Sequence, residues 1–300
     1  MYGITSVRYY SPDDGVTFLD SNLGGAVLYE TGIATDGLTI VAMVNASDDS
    51  YYYSSDGKTW LEGHIGFGSY WISVTYGNGV FVAAPSNSTQ IIARSTDGIN
   101  WTQETPPYAI QGFVAMAGDG VLVVMGYGLL WSSDGVTWNN GAGSIGVAKQ
   151  GVFGKGMFVC VNGGTSTGQP NADYSYSSDG KSWTQGTLPV AGFWNRIAYG
   201  NGVFVITSSS SYSCLVSSDG LNWTEYTMPN PSPGNNVNYD AITFSGDQFI
   251  ATNNNSLYNY ECAVSSEGVN WSLSGGVLDG GSQWLGISFA APTSQMFVLT

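Results

Sequence analysis

The chain is poor in charge. Only 10% of its 300 residues are Asp, Glu, Lys or Arg, against about a quarter in ordinary globular proteins. Lys and Arg together number 7, Asp and Glu 22, and the net charge is −15. Phosphate backbones and anionic lipid surfaces attract basic patches, so neither nucleic-acid binding nor membrane-surface binding is expected. His64 is the one histidine, which excludes a histidine-built metal site. Cysteine is equally scarce. Cys160, Cys214 and Cys262 are odd in number and form no C-x-x-C, which argues against a disulfide framework and a zinc site and for small buried thiols. No apolar run reaches the ~18 residues of a membrane span. The first residues, "MYGITSVRYY", show neither the basic nor the apolar region of a signal peptide. A soluble chain folded in a reducing cytoplasm is expected.

Glycine (42), tyrosine (19) and tryptophan (10) are plentiful, and 43% of the chain is hydrophobic. This is an all-β, turn-rich composition; long surface helices would call for more Lys, Glu, Ala and Leu. Self-similarity then sets the architecture. "SSDGKSW" at 177–183 has near copies at 54–60, 95–101, 132–138, 217–223 and 265–271, and "SPDDGVTF" at 11–18 is a seventh. From Trp60 to Trp271 the closing tryptophans stand 37 to 48 residues apart. Each unit also carries two apolar runs around a Gly/Asn/Asp turn, as in "SVTYGNGVFVAA" at 73–84 and "RIAYGNGVFVIT" at 196–207. That is a hairpin signal. A unit thus reads strand A, tight turn, strand B, loop, strand C, SSDG turn, strand D. Four antiparallel strands repeated about every 40 residues make a β-propeller blade.

The chain ends complete the pattern. Residues 283–300 supply strands A and B without an SSDG turn, and residues 1–20 supply C and D. The expectation is a single all-β domain, a seven-bladed β-propeller. Its blades span 23–62, 68–104, 110–140, 146–186, 192–226, 237–274, and 283–300 joined to 1–20. Pairing the ends hides two sheet edges.

At the turns the chain resembles a known family. "SPDDGVTF" matches the Asp box, the bacterial neuraminidase repeat of sialidase-like propellers, and the six S-S/T-D/E-G-x-x-W copies are one residue shorter. The resemblance implies a structural hairpin between the two outer strands of a blade, away from any ligand site. The residues agree. Glycine supplies positive φ. The carboxylate at Asp13, Asp56, Asp97, Asp134, Asp179, Asp219 and Glu267 accepts N–H bonds within its own turn. The aromatic packs on the blade. The acidic loops leave calcium open as a ligand, though no EF-hand-like spacing is present; no other cofactor is expected.

A sialidase, in the pattern of that family, needs an arginine triad. The repeat places Arg8 and Arg94 on outer strands C and Arg196 on inner strand A, so they do not converge. His64, in "EGHIGFG", has no nucleophile signature beside it. Glu30 and Asp240, each near the start of an inner strand, leave a carboxylate-pair glycosidase as the alternative. No enzyme is expected.

The A–B and C–D turns are monotonous and share one face. The B–C loops vary from "MGYG" to "VNGGTSTGQPNAD" on the other, where recognition is usually written. Near the start of strand A stand Tyr29, Trp71, Trp194, Tyr239 and Trp284, with Gly112 and Ala148 at the same position. These aromatics are the candidate lining of the channel mouth, suited to a sugar ring; filling the wedge between blades is the other reading. The short turn spelling and the Gly/Ser/Tyr-rich strands look like repeats of phage tail or virion proteins and bacterial surface proteins. The expected function is a non-catalytic attachment module of a virion, assembled in the host cytoplasm. Its partner is a host-surface glycan or another virion protein. An extracellular or cell-surface protein and a pure assembly scaffold are the alternatives.

Overall fold

The paired apolar runs fold as antiparallel hairpins in a computed structural model, which describes residues 8–11, 19–21, 32–44, 48–162, 169–230, 238–253, 262–274, 286–290 and 295–299. The described residues are all-β, with no helix among them, and form six four-stranded antiparallel sheets and one five-stranded sheet. A representative sheet runs Trp71–Gly77, Val80–Pro85, Ile92–Ser95, Trp101–Glu104, each strand antiparallel to the last. Sheets of the same order start at Ile33–Thr35, Gly112–Gly118, Trp194–Gly200 and Tyr239–Phe244. The sheet that starts at Gln150–Gly154 gains a fifth strand, Ala142–Gly143, laid parallel on the outer edge of Ser182–Gly192. The remaining sheet joins both ends of the chain, in the order Gly286–Ala290, Gln295–Leu299, Arg8–Ser11, Leu19–Ser21.

The first strands of successive sheets lie side by side. Ile33–Thr35 adjoins Trp71–Gly77, then come Gly112–Gly118, Gln150–Gly154, Trp194–Gly200, Tyr239–Phe244 and Gly286–Ala290, which returns to Ile33–Thr35. Four of the described hairpins that follow are tight two-residue turns with positive φ at both positions: Asn78-Gly79, Asp119-Gly120, Lys155-Gly156 and Asn201-Gly202. This turn matches the right-handed strand twist, and Asn or Asp before Gly tolerates it best.

The second strands form the core. Val80–Pro85 and Val121–Gly126 are buried at every residue. Alternate side chains of one strand serve two cores. Phe81 and Ala83 pack with Val41, Met43 and Tyr51 of the preceding sheet, while Val80, Val82 and Ala84 pack with Leu122, Val124 and Leu130 of the next. Burial on both faces explains why these strands are continuously apolar.

The strand-start aromatics belong to these cores. Trp71, Trp194 and Tyr239 are 0%, 2% and 0% exposed and lie in the clusters between neighbouring sheets. Trp194 donates its indole N–H to Val190 O (3.0 Å), and Tyr239 its hydroxyl to Pro229 O (2.7 Å). Of the two readings of these aromatics, channel mouth and wedge between blades, the three described rings occupy the wedge, buried in the clusters between sheets. The physical cause is a bulge one residue later. Register shifts between Trp71 and Ser73, Trp194 and Arg196, and Tyr239 and Ala241 break the alternation that would have aimed them elsewhere. Tyr29 and Trp284 lie outside the described residues.

The six SSDG-type turns within the described residues share one hydrogen-bond scheme. A buried serine accepts the N–H of the acidic residue and of the glycine, at 3.3 and 2.9 Å for Ser132. In five turns the aspartate Oδ1 then accepts the N–H groups two and three residues on; for Asp134 these are Val136 (2.8 Å) and Thr137 (2.7 Å). Asp56, Asp97, Asp179 and Asp219 do the same. Glu267, one methylene longer, takes the Asn270 side-chain amide. The turn glycines have φ of 69° to 78°. Trp60, Trp138, Trp183 and Trp271 donate back to the turn glycine carbonyl at 2.8 to 3.2 Å. Trp101 and Trp223 instead meet Tyr51 and Tyr174 edge-on. The hydroxyls of those tyrosines donate to Ile99 O and Leu221 O, tying one sheet to the next sheet's turn. Asp13 lies outside the described residues.

Two predictions follow from this packing. Trp71→Ala removes a fully buried indole and should cost about 3–5 kcal/mol; a melting curve like the wild type's would show that the ring is not core. The second concerns acid. Backbone N–H donors hold the Asp56, Asp97, Asp134, Asp179 and Asp219 carboxyls below their usual range, Asp134 at about 2. A carboxylate with a depressed folded pKa stabilises the fold above its unfolded pKa, and that contribution is lost as pH falls through the folded value. Water screens these exposed or half-buried groups, so each contributes little and the sum is what is visible. Stability should fall between about pH 4 and the pH of about 2 set by Asp134. A combined Asp56→Asn, Asp134→Asn, Asp179→Asn variant should show a shallower fall between about pH 4 and pH 2 in denaturant titrations. An unchanged slope would refute the linkage.

Candidate functional site

Hydrogen bonds define two faces. On one, the hairpin tips of three sheets reach the turns of the next. Asn78 Nδ2 donates to Gly120 O (2.8 Å) and Ser133 O (3.1 Å), and Asn201 Nδ2 to Asp247 O (3.2 Å) and Ser266 O (2.7 Å). Lys155 Nζ donates to Ser218 O (3.0 Å), and Arg94 Nε to Asp134 O (3.4 Å). A–B and SSDG turns thus share a face and are stapled together across sheet boundaries.

The opposite face gathers the described B–C loops and D–A connectors. Within a sheet the two are joined by backbone bonds: Ser86 N–H to Tyr70 O, Tyr127 N–H to Gln111 O, Ser209 N–H to Phe193 O, Met228 N–H to Tyr212 O. Among the described residues three tyrosines of this face are exposed, Tyr127 at 65%, Tyr70 at 42% and Tyr212 at 41%. Neutral polar side chains surround the inner-strand starts. Asn195 Nδ2 donates to Ser209 Oγ (2.6 Å), and Asn238 Nδ2 to Ser209 O (2.6 Å) and Asp240 Oδ2 (3.2 Å). Asn195 and Asp240 are the bulged residues of their strands, and both are half-buried. Bulges re-aim side chains, and they are common beside binding sites.

The residues singled out for chemistry fall as follows. Arg8 and Arg94 stand on third strands of different sheets and Arg196 on a first strand. Asp240 is on the loop face, and Glu30 is outside the described residues. His64 Nδ1 lies 3.1 Å from Asp48 O and 3.5 Å from Asp49 Oδ1, latching the first loop. The bond to the Asp48 carbonyl, with the nearby carboxylates, raises its pKa. Cys160, Cys214 and Cys262 are free and buried, and burial pushes their thiols up to about 12. Among the described residues no three His, Cys, Asp or Glu side chains come together as a metal site would need. The exposed tyrosines were not among the sequence candidates. Tyr70 sits directly beside Trp71 in sequence, exposed where its neighbour is buried.

No protein-family model matches the chain, and no curated protein matches it either. Solved structures do match in fold. A YCF48 bound to a D1 peptide superposes with a TM-score of 0.67 at 16% identity, over 91% of this chain and 93% of that one. YCF48 from Cyanidioschyzon merolae gives 0.65 at 10% identity, over 91% and 97%. Selenomethionine-substituted virginiamycin B lyase from Staphylococcus aureus gives 0.72 at 11% identity, over 93% and 97%. At such identities the likeness is one of fold alone, and the fold is that of a β-propeller.

Proposed function

We propose that the chain is a seven-bladed β-propeller with Asp-box turns, closed by pairing its two ends in one blade, and that it serves as a non-catalytic attachment module of a virion. The loop face takes the ligand, a host-surface glycan or a surface of another virion protein. The observation that carries this reading is the contrast between the faces. One is spent on inter-sheet staples. The other bears loops of unequal length, rich in Ser, Asn and exposed Tyr. Such loops have the chemistry of antibody paratopes, where tyrosine supplies rigid amphipathic area and small polar residues supply adaptable hydrogen bonds. A protein partner fits the fold as well, since a YCF48 of similar fold is bound to a D1 peptide. The separation of the three arginines speaks for a site without sialidase chemistry.

Ring closure has its own test. Deleting residues 1–21 removes both strands contributed by the N-terminus to the shared sheet, and the truncated protein should melt well below the full chain and aggregate through exposed edges. Equal melting temperatures would refute closure. The recognition face is tested on a glycan array and by partner capture among purified virion proteins, with the triple variant Tyr70→Ala, Tyr127→Ala, Tyr212→Ala. Binding should be lost there, retained in Asn78→Ala on the turn face, and the glycans recovered uncleaved. The opposite pattern would place recognition on the turn face and sink the reading.

A further inference from the structure

The shortest B–C loop carries the most exposed tyrosine of the loop face among the described residues, and it is built to hold that ring in place. Residues 126–128 read Gly-Tyr-Gly. A Cβ on Gly126 would stand 1.7 Å from Gln111 O, and one on Gly128 would stand 2.8 Å from the Tyr108 ring. Both glycines are therefore required by close approach, and the turn is pressed down onto the connector before strand A. Tyr127 N–H donates to Gln111 O (3.1 Å) and Gly126 N–H to Gly128 O (3.0 Å). Tyr108 clamps the far side: its hydroxyl donates to Leu129 O (2.7 Å) and accepts from Leu129 N–H (2.9 Å). Only the Tyr127 ring projects. Phe113, the bulged residue of its strand, meets it edge-on with centroids 5.7 Å apart. An exposed aromatic on a mobile loop would be ordinary surface. An exposed aromatic on a turn that tolerates no other backbone packing is preorganised.

The surroundings select the ligand. Residues 86–91, 105–113 and 125–130, which make up the two B–C loops and the connector meeting here, contain no charged residue in a chain of net charge −15. The loop of the preceding sheet is tied in by the Thr89–Ile110 bridge, and half-buried Gln111, whose backbone carbonyl takes the Tyr127 N–H, carries the one side-chain amide of the connector 105–113. We propose that Tyr127, flanked by Phe113 and Gln111, is a stacking platform for the C–H face of a neutral pyranose. A flat ring with a negative face attracts the polarised C–H groups of a sugar. The amide serves its hydroxyls. The overall negative field disfavours sialylated or uronic sugars. This inference rests on the recognition reading above and gives it a ligand class.

Saturation-transfer NMR with neutral methyl glycosides of glucose, galactose, mannose and N-acetylglucosamine, against sialic and glucuronic acid glycosides, tests it on the full chain. At least one neutral glycoside should bind and receive saturation on one ring face. Tyr127→Ala should weaken it about tenfold, and Tyr127→Phe, which keeps the ring, by no more than about threefold. Both variants should melt as the wild type does, because the ring is exposed. Neutral-glycoside binding unaffected by Tyr127→Ala overturns the platform and leaves loop-face recognition standing. So does absence of neutral binding, or preference for the acidic sugars. Capture of a purified virion protein lost in Tyr127→Ala, without glycoside binding, assigns the ring to protein docking and overturns the saccharide. The recognition reading itself fails only if the triple tyrosine variant keeps every ligand of the wild type.

Discussion

Val80–Pro85 is apolar on both faces, and a sheet built around such a strand must be covered on both sides. At about 25 cal/mol per Å² of apolar area, leaving one face wet would cost more than a sheet of this size gains from its own hydrogen bonds. The same demand recurs in Val121–Gly126 and Val203–Ser208. Each sheet therefore needs a neighbour before and after it. The succession of first strands, returning from Gly286–Ala290 to Ile33–Thr35, is the arrangement that meets this demand without leaving an uncovered end. Joining the two chain ends in one sheet meets the matching demand along the hydrogen-bonding direction.

Double-sided burial also decides how polarity is used. With few ionic groups, the chain satisfies its turns locally. Serine and aspartate oxygens take the N–H groups of their own SSDG turns, and tryptophan N–H groups return to the glycine carbonyls. Cations are spent on the same side. Lys155 and Arg94 donate to carbonyls of the following sheet, and Lys181 stands 4.4 Å from the centroid of the Trp131 ring. The turn face is thereby fastened, and the loops near Tyr127 are left without charge.

The loop face differs because nothing in the sheet architecture dictates its length. A two-residue turn at Asn78-Gly79 is required by strand twist, whereas a B–C loop can be Gly-Tyr-Gly or a dozen residues without disturbing the core. Tyr70, Tyr127 and Tyr212 are exposed on this face. Their neighbours in sequence or space, Trp71, Phe113 and Met228, are drawn toward the packed interior.

The sequence by itself determined the repeat, the strand order within a unit, the identity of the tight turns and the segregation of turns from loops. The turns rest on contacts within a few residues, such as Ser132 to Gly135 or Asp134 to Thr137, which a local pattern encodes directly, and the repeat of that pattern carries the rest. Tertiary structure alone decided where the strand-start aromatics point. Trp71, Trp194 and Tyr239 stand near the start of strand A beside the variable loops, a position that reads equally as channel mouth or as wedge between blades. A bulge between Trp71 and Ser73, and a neighbouring sheet to bury the ring against, put them in the wedge. Neither is visible in a period-two pattern. The exposure of Tyr127 was decided the same way, by the approach of Gln111 and Tyr108 to two glycines. Those contacts span roughly 15 to 20 residues and exist only once the sheet has formed.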